Sequence, residues 1–292
     1  MKKIFSFACM LLMLVGCSNE TETPEIVATG VAPVTVNVSG FTILQEDISV
    51  TKAVQSVESY SGIKAITLAF YAQDGTETYK RTQVRSDADT YTTFGSFATS
   101  LTLGSYTMVV IAYGSEEEIT LTSPTSASFT ADKCRETFTY TRSVTVSSTD
   151  AMNLDATLER QIAMVVFQAT DLLPSVVKKA RITFSGGGKS FNPTTGLAIE
   201  SGLVNEITVS SSNVGLANRY TSYLFLNSDS QSMDIAIDIL DADENVLFHK
   251  SVSGVSLRRN RATTLRGVLY TSDVSSTFSV DTDWLEGIII DF

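Results

Sequence analysis

The sequence predicts an all-β protein built from two tandem sandwich units. Three observations point to it. Apolar and polar residues alternate with a period of two along most of the chain, and no long stretch shows an apolar stripe at the 3.6-residue helical period. Thr, Ser and Val are abundant while Pro is rare, 5 in 292 residues. The strand-like segments fall into two series that part near residue 155, each large enough for a two-layer core. The expected organisation is a signal over 1–16, a tether over 17–32, and β-sandwiches over 33–156 and 157–292.

The elements follow in chain order. In "PVTVNVSG", Val34, Val36 and Val38 share one face and Thr35, Asn37 and Ser39 the other. Phe41 and Ile43 continue on odd positions, so Gly40 marks a bulge or bend. "IKAITLAFYAQDGTETYK" reads as a hairpin turning at Asp74-Gly75, because Gly tolerates φ > 0. "GSYTMVVIAYG" is apolar on both faces from Met108 to Ala112, as expected of a strand between two layers. The second series begins at "LERQIAMVVFQATD". In "DIAIDIL", Ile235, Ile237 and Ile239 face one way, with Asp234 and Asp238 opposite. The polar loop 241–245 turns the chain into "VLFHKSV". A short helix fits "DLLPSVVKKA", its start limited by Pro174.

The N-terminus carries a targeting pattern. Lys2 and Lys3 precede a short apolar run ending in Leu14-Val15-Gly16-Cys17, which resembles a lipobox. In such signals the Cys thiol is acylated and becomes the new N-terminus, so outer-membrane lipid is the expected partner of Cys17. The alternative is an ordinary cleaved signal with Cys17 incidental. "SNETETPEIVATG" then forms a polar, flexible tether without a base. Its acids resemble the surface-export signal of Bacteroides-type lipoproteins, which implies a surface-exposed place on the outer membrane. Removing residues 1–16 takes away two Lys and no acids, moving the net charge from −11 to −13. That charge argues against nucleic acid and anionic lipid as partners. With Cys9 in the signal and Cys17 lipidated, Cys134 stands alone and no intrachain disulfide forms.

No segment assembles catalytic chemistry. "GGGKS" at 186–190 lacks the first Gly of a phosphate loop, since Thr183 holds that position, and it lies between strands; it reads as a hairpin tip. "DADEN" at 241–245 begins like a calcium loop, but Val246 and Val252 stand where Gly and Glu are required. His249 is the only His, which excludes a His-rich metal site, and no G-x-S-x-G elbow accompanies it. Lys133 and Arg135 flank Cys134 and would lower the pKa of an exposed thiol. Paired carboxylates cannot be recognised without their spacing in space. The expectation is a non-enzymatic protein with no cofactor and no metal.

Taken in order, five segments resemble the Bacteroides-type fimbrillin family, subunits of type V pili. They are the lipobox; "VTKA" followed by "IKAITLAFYAQDG"; "LTLGSYTMVVIAYG"; "ATLERQIAMVVF", which fits L-x-R-x-x-A; and "VSLRRNRATTLRGVLYTS…FSVDTDW". They span residues 14–284. The resemblance implies a transthyretin-like Greek-key sandwich in each unit and a structural or adhesive pilus role, with other fimbrillin subunits and a trypsin-like processing protease as partners.

In that family the protease removes the first strand with its lipid, and a strand from another subunit refills the groove. Lys52 is the sole base between Cys17 and Lys64 and follows "VTVNVSGFTI", so the resemblance marks the bond Lys52–Ala53 for cleavage. Family members commonly have Arg there, so Lys52 departs from the pattern; its alternative role is a solvated loop charge. The exchanged strand would carry Val34, Val36, Val38, Phe41 and Ile43. "WLEGIIIDF", with Ile288, Ile289 and Ile290, is the candidate donor strand or else the last strand of its own unit. The functional alternative is a two-domain surface lipoprotein binding glycans on an aromatic platform of Trp284, Tyr220 and Tyr223.

Overall fold

The computed structural model describes residues 30–47, 49–130, 133–271 and 278–281; for 44–53 and 280–281 it describes the backbone alone. Among these residues there are nineteen strands and no α-helix. The all-β sandwich expected from the alternation is the observed fold.

The first unit is one eight-stranded sheet folded over on itself. Its strands are β1 (Val31–Asp47), β2 (Ser49–Gln55), β3 (Ala65–Ala72), β4 (Glu77–Val84), β5 (Ser96–Thr102), β6 (Gly104–Tyr113), β9 (Thr137–Val146) and β10 (Met152–Arg160). They run in the order β2-β1-β10-β9-β6-β3-β4, with β5 also on β1. The fold-over is at β9–β10, which share only the pairs Thr139–Glu159 and Phe138–Arg160. Val34, Val36, Phe41 and Leu158 thereby face Leu68, Phe70, Met108, Val110 and Phe138 across a single core. The Asp74-Gly75 turn joins β3 to β4 as read: Gly75 has φ +84, and Asp74 accepts from the Thr76 N–H.

The doubly apolar strand is also explained. Met108 and Val110 of β6 point into this core, while Val109, Ile111 and Tyr113 point into a second cluster with Tyr71, Phe129, Phe191 and Phe225. That cluster is capped by a small sheet of β7 (Thr120–Ser123), β8 (Ser126–Ser128) and β13 (Ser190–Phe191). Phe191 and Phe225 stack at 3.8 Å and 13° inside it, so the second unit supplies part of the cover on the first.

The second unit packs two four-stranded sheets. One contains β11 (Ala163–Leu172), β15 (Ala217–Leu224), β18 (Ala262–Gly267) and β19 (Ser279–Asp281). The other contains β12 (Lys179–Phe184), β14 (Leu203–Thr208), β16 (Ser230–Leu240) and β17 (Val246–Arg258). Ile235, Ile237 and Ile239 enter the core together, as their spacing predicts, against Val165, Phe167 and Leu265.

Strand pairing carries β10 through Arg160, along β1 and β9. Two expectations change. Residues 173–178 form a turn without a helix: Leu173 and Val177 are drawn into the core, and the Asp171 carboxylate accepts from the N–H groups of Leu269 and Tyr270. "GGGKS" is not a hairpin tip but the link from β12 to β13. There the N–H groups of Lys189 and Ser190 donate to Glu200 Oε1, and a Cβ on Gly188 would lie 2.4 Å from Glu200 Cγ. The anion at this loop is the protein's own carboxylate.

Candidate functional site: the first strand and its groove

β1 is a central strand, not an edge. One side pairs in parallel with β10 from Val34 to Thr42. The other pairs antiparallel first with β5, over residues 31–37, and then with β2, over residues 41–47. The register shifts between Val38 and Gly40, so the glycine does sit at a bulge. A side chain there would clash, since a Cβ would lie 2.6 Å from the Gln55 carbonyl oxygen.

The bulge keeps the inward face continuous. Val34, Val36, Val38, Phe41 and Ile43 are all buried, none more than 7% exposed. Outward residues are tied to the neighbouring strands: Asn37 Oδ1 accepts from Ser96 Oγ at 2.9 Å, and Ser39 Oγ donates to the Ala156 carbonyl at 3.2 Å. At about 1.5–3 kcal/mol per buried side chain, the five inward groups contribute roughly 7–15 kcal/mol. That matches the whole stability of a typical domain, about 5–15 kcal/mol.

Among the described residues, β1 from Ile43 onward pairs with β2 alone, and β2 pairs with no other strand. β1 and β2 therefore leave the sheet as a two-stranded ribbon. Lys52 lies within it, in register with Leu44, and Ala53 with Ile43. The loop expected around Lys52 is thus a strand, because its pairing partner is β1 itself. A ribbon of two strands is only marginally stable by itself, so its backbone opens at low cost.

Where β1 meets the end of β10, a buried polar network closes the groove. The Tyr60 hydroxyl donates to Glu136 Oε1 at 2.7 Å, and Arg160 Nη2 pairs with the same oxygen at 2.7 Å while donating to the Tyr60 oxygen at 3.0 Å. Arg160 Nη1 reaches Asn260 Oδ1 of the second unit at 3.2 Å. Arg160 is 1% exposed in its side chain, so each charge depends on the other. Burial first, then the Glu136 carboxylate, holds the Tyr60 hydroxyl above its ordinary pKa. Tyr60, Glu136 and Arg160 share no local sequence signal, although Arg160 is the Arg of L-x-R-x-x-A. A cleft of about 210 Å³ lies beside them, lined by Thr42, Glu159, Gln161, Arg259 and Asn260 among others. Arg259 is paired there with Asp229 at 2.8 Å.

The other sequence candidates are placed as follows. Cys17, Trp284, Ile288, Ile289 and Ile290 lie outside the described residues. Cys134 is buried rather than exposed, and burial pushes its thiol pKa up against the opposing pull of Arg135. His249 faces Asp238 across the strand pair at 2.6 Å, on an exposed surface. Asp241 accepts from the N–H groups of Asp243 and Asn245, which makes loop 241–245 a self-capped turn. Tyr220 is buried with its hydroxyl on Tyr270 at 2.9 Å, and Tyr223 packs against the cluster between the units. Those two tyrosines form no exposed platform, because both are needed for packing.

No curated protein matches this chain. Among solved structures it is similar to a Bacteroides thetaiotaomicron protein described as polysaccharide-binding, at 9% identity and a TM-score of 0.47, covering 87% of this chain and 99% of that one. It is similar to a Bacteroides ovatus structure described as a cell adhesion protein, at 12% identity and a TM-score of 0.46, covering 89% and 99%. It is also similar to the fimbrial anchor protein Mfa2 from Porphyromonas gingivalis, at 11% identity and a TM-score of 0.44, covering 86% and 97%. Residues 29–291 match the family of unknown function DUF6562, and the chain belongs to that family.

Proposed function

We propose that this protein is a structural or adhesive subunit of a cell-surface filament, without catalytic activity. It is exported as a lipoprotein acylated at Cys17 on the outer membrane. A trypsin-like protease cuts the bond Lys52–Ala53 in the β1–β2 ribbon. β1 then leaves with the lipid, and a strand from another subunit takes its place.

The observation that carries this reading is the position of β1. It is a central strand whose inward side chains Val34, Val36, Val38, Phe41 and Ile43 are buried, yet its chain continues into a marginal ribbon that holds the sole base between Cys17 and Lys64. Losing it removes roughly a domain's worth of stability, so the emptied groove has to be refilled. The glycan-binding alternative loses Tyr220 and Tyr223 as its platform.

The test is assembly after cutting. Purified chain treated with a trypsin-like protease should lose the segment before Ala53 and pass into a ladder of oligomers or filaments, seen by denaturant-free electrophoresis and electron microscopy. Protein that has lost this segment and stays a folded monomer at high concentration would exclude the reading.

A further inference from the structure

Resting on the strand-exchange reading, we propose that the Phe41 pocket is the selecting subsite of the β1 groove. It fits a partner strand with the pattern apolar-x-apolar-x-apolar-x-Gly-aromatic, written from the Val34 position to the Phe41 position.

The walls are aromatic and rigidly held. The Phe41 ring lies 4.9 Å from Phe138 and 5.7 Å from Tyr60, which meet each other edge-on at 5.7 Å and 79°. The Arg160 guanidinium lies 5.0 Å from the Phe138 ring centre. Glu136 and Arg160 fix the Tyr60 hydroxyl, as described. The Tyr60 backbone is held by Ser56 and Arg85, through its N–H to the Ser56 carbonyl at 3.2 Å and its carbonyl to Arg85 Nη2 at 3.3 Å. All these groups lie after Ala53 in the chain. A chain cut at Lys52–Ala53 therefore keeps the whole pocket when β1 is gone.

The remaining groove is undemanding by comparison. Val34, Val36 and Val38 meet aliphatic and aromatic surface, where one aliphatic side chain replaces another at small cost. The Phe41 position differs in two ways. A smaller occupant leaves a void, which core packing penalises, and it opens the buried Arg160–Glu136 pair toward that void.

The bulge sets the spacing. Between Val38 and Phe41, three residues of β1 span two of β10, since Val38 pairs with Ala156 and Phe41 with Leu158. A strand without the bulge turns its aromatic residue out of the pocket. Gly fits best before the aromatic, because the Gln55 carbonyl, which the cut chain retains, stands 2.6 Å from a Cβ at position 40, and any other residue has to displace that segment.

The experiment uses the full chain cut after Lys52 and a fluorescent peptide with the sequence of residues 31–47. Unlabelled competitor peptides report relative capture. A peptide with Phe41→Leu should compete at least tenfold more weakly than the parent peptide, and one with Val38→Ile within about threefold, given the cost of a lost ring against an added methylene. Equal competition by the parent and Phe41→Leu peptides overturns the proposal. In protein carrying Tyr60→Ala the Phe-to-Leu difference should collapse below threefold; its persistence at full size also overturns it. If not even the parent peptide enters, strand exchange itself fails, and the pocket is judged in the uncut chain. There Phe41→Leu should shift the unfolding equilibrium at least tenfold more than Val38→Ile, and an equal shift refutes the subsite.

Discussion

Replacing Gly40 by alanine should unlock the ribbon without dismantling the sheet. The added Cβ would lie 2.6 Å from the Gln55 carbonyl oxygen and 2.7 Å from Val54 Cγ1, so a strand has to move. β1 is fixed on its far side by β10, where Gly40 pairs with Thr157, whereas among the described residues β2 has β1 as its sole partner. The strain therefore falls on β2. Overpacking of this kind costs about 1–3 kcal/mol, and at 1.4 kcal/mol per decade that raises the open fraction of the ribbon roughly 5- to 140-fold. Dilute trypsin reads this fraction directly while reclosing is faster than cleavage. In the parent chain the first cut should fall after Lys52, leaving Ala53 as the new N-terminus. In Gly40→Ala the same cut should be faster by the factor above, and Lys52→Gln should abolish it.

Rival bases should not respond. Lys80 and Arg81 sit on β4, which is paired along its length with β3. Lys178 has both backbone groups bonded, its N–H to the Leu240 carbonyl and its carbonyl to the Val209 N–H. N-terminal sequencing of early fragments checks all of this. A first cut after Arg81 or Arg85 with Lys52 intact, or a Lys52 rate unchanged by Gly40→Ala, would refute the ribbon argument.

Three further outcomes are expected. Cys17→Ala should abolish labelling by radioactive palmitate and move the protein from the membrane fraction to the soluble one; unchanged labelling refutes the acylation. The Cys134 thiol, buried and pushed up in pKa, should react with a thiol reagent only as fast as the protein unfolds, so rapid modification of native protein contradicts its placement. The Tyr60 hydroxyl has its pKa raised in the fold, so its contribution to stability is intact below the unfolded value of about 10 and is lost as pH rises above it. Urea unfolding should show a steeper loss of stability above about pH 10 in the parent than in Tyr60→Phe; identical slopes would sink that assignment.

The sequence by itself determined the local geometry of the strands. The alternation of Val34, Val36 and Val38 marked a buried face, and the switch of parity to Phe41 located the bulge at Gly40. Asp74-Gly75 located a turn, and the run from Met108 to Ala112 marked a strand covered on both sides. Each is a short-range consequence of a side-chain period of two or of a glycine's freedom at positive φ. The lone base at Lys52 was legible as well, since absence of charge is written in the chain.

The tertiary structure decided what each strand lies against. Nothing local says that β1 runs parallel to β10, more than a hundred residues later, or that β2 is paired, among the described residues, with β1 alone. That pairing placed Lys52 in a ribbon rather than a loop. Burial of Cys134 and Tyr220, although polar or charged residues adjoin them in sequence, follows from layers that close over them from distant segments. Tyr60, Glu136 and Arg160 lie 24 to 100 residues apart and become one network only where β10 ends against β9. The turn at 173–178 overrode a helix-compatible pattern because burying Leu173 and Val177 against the two sheets outweighs a weak local preference. A period of two says which side of a strand is dry; only the assembled sheets say what it is dry against.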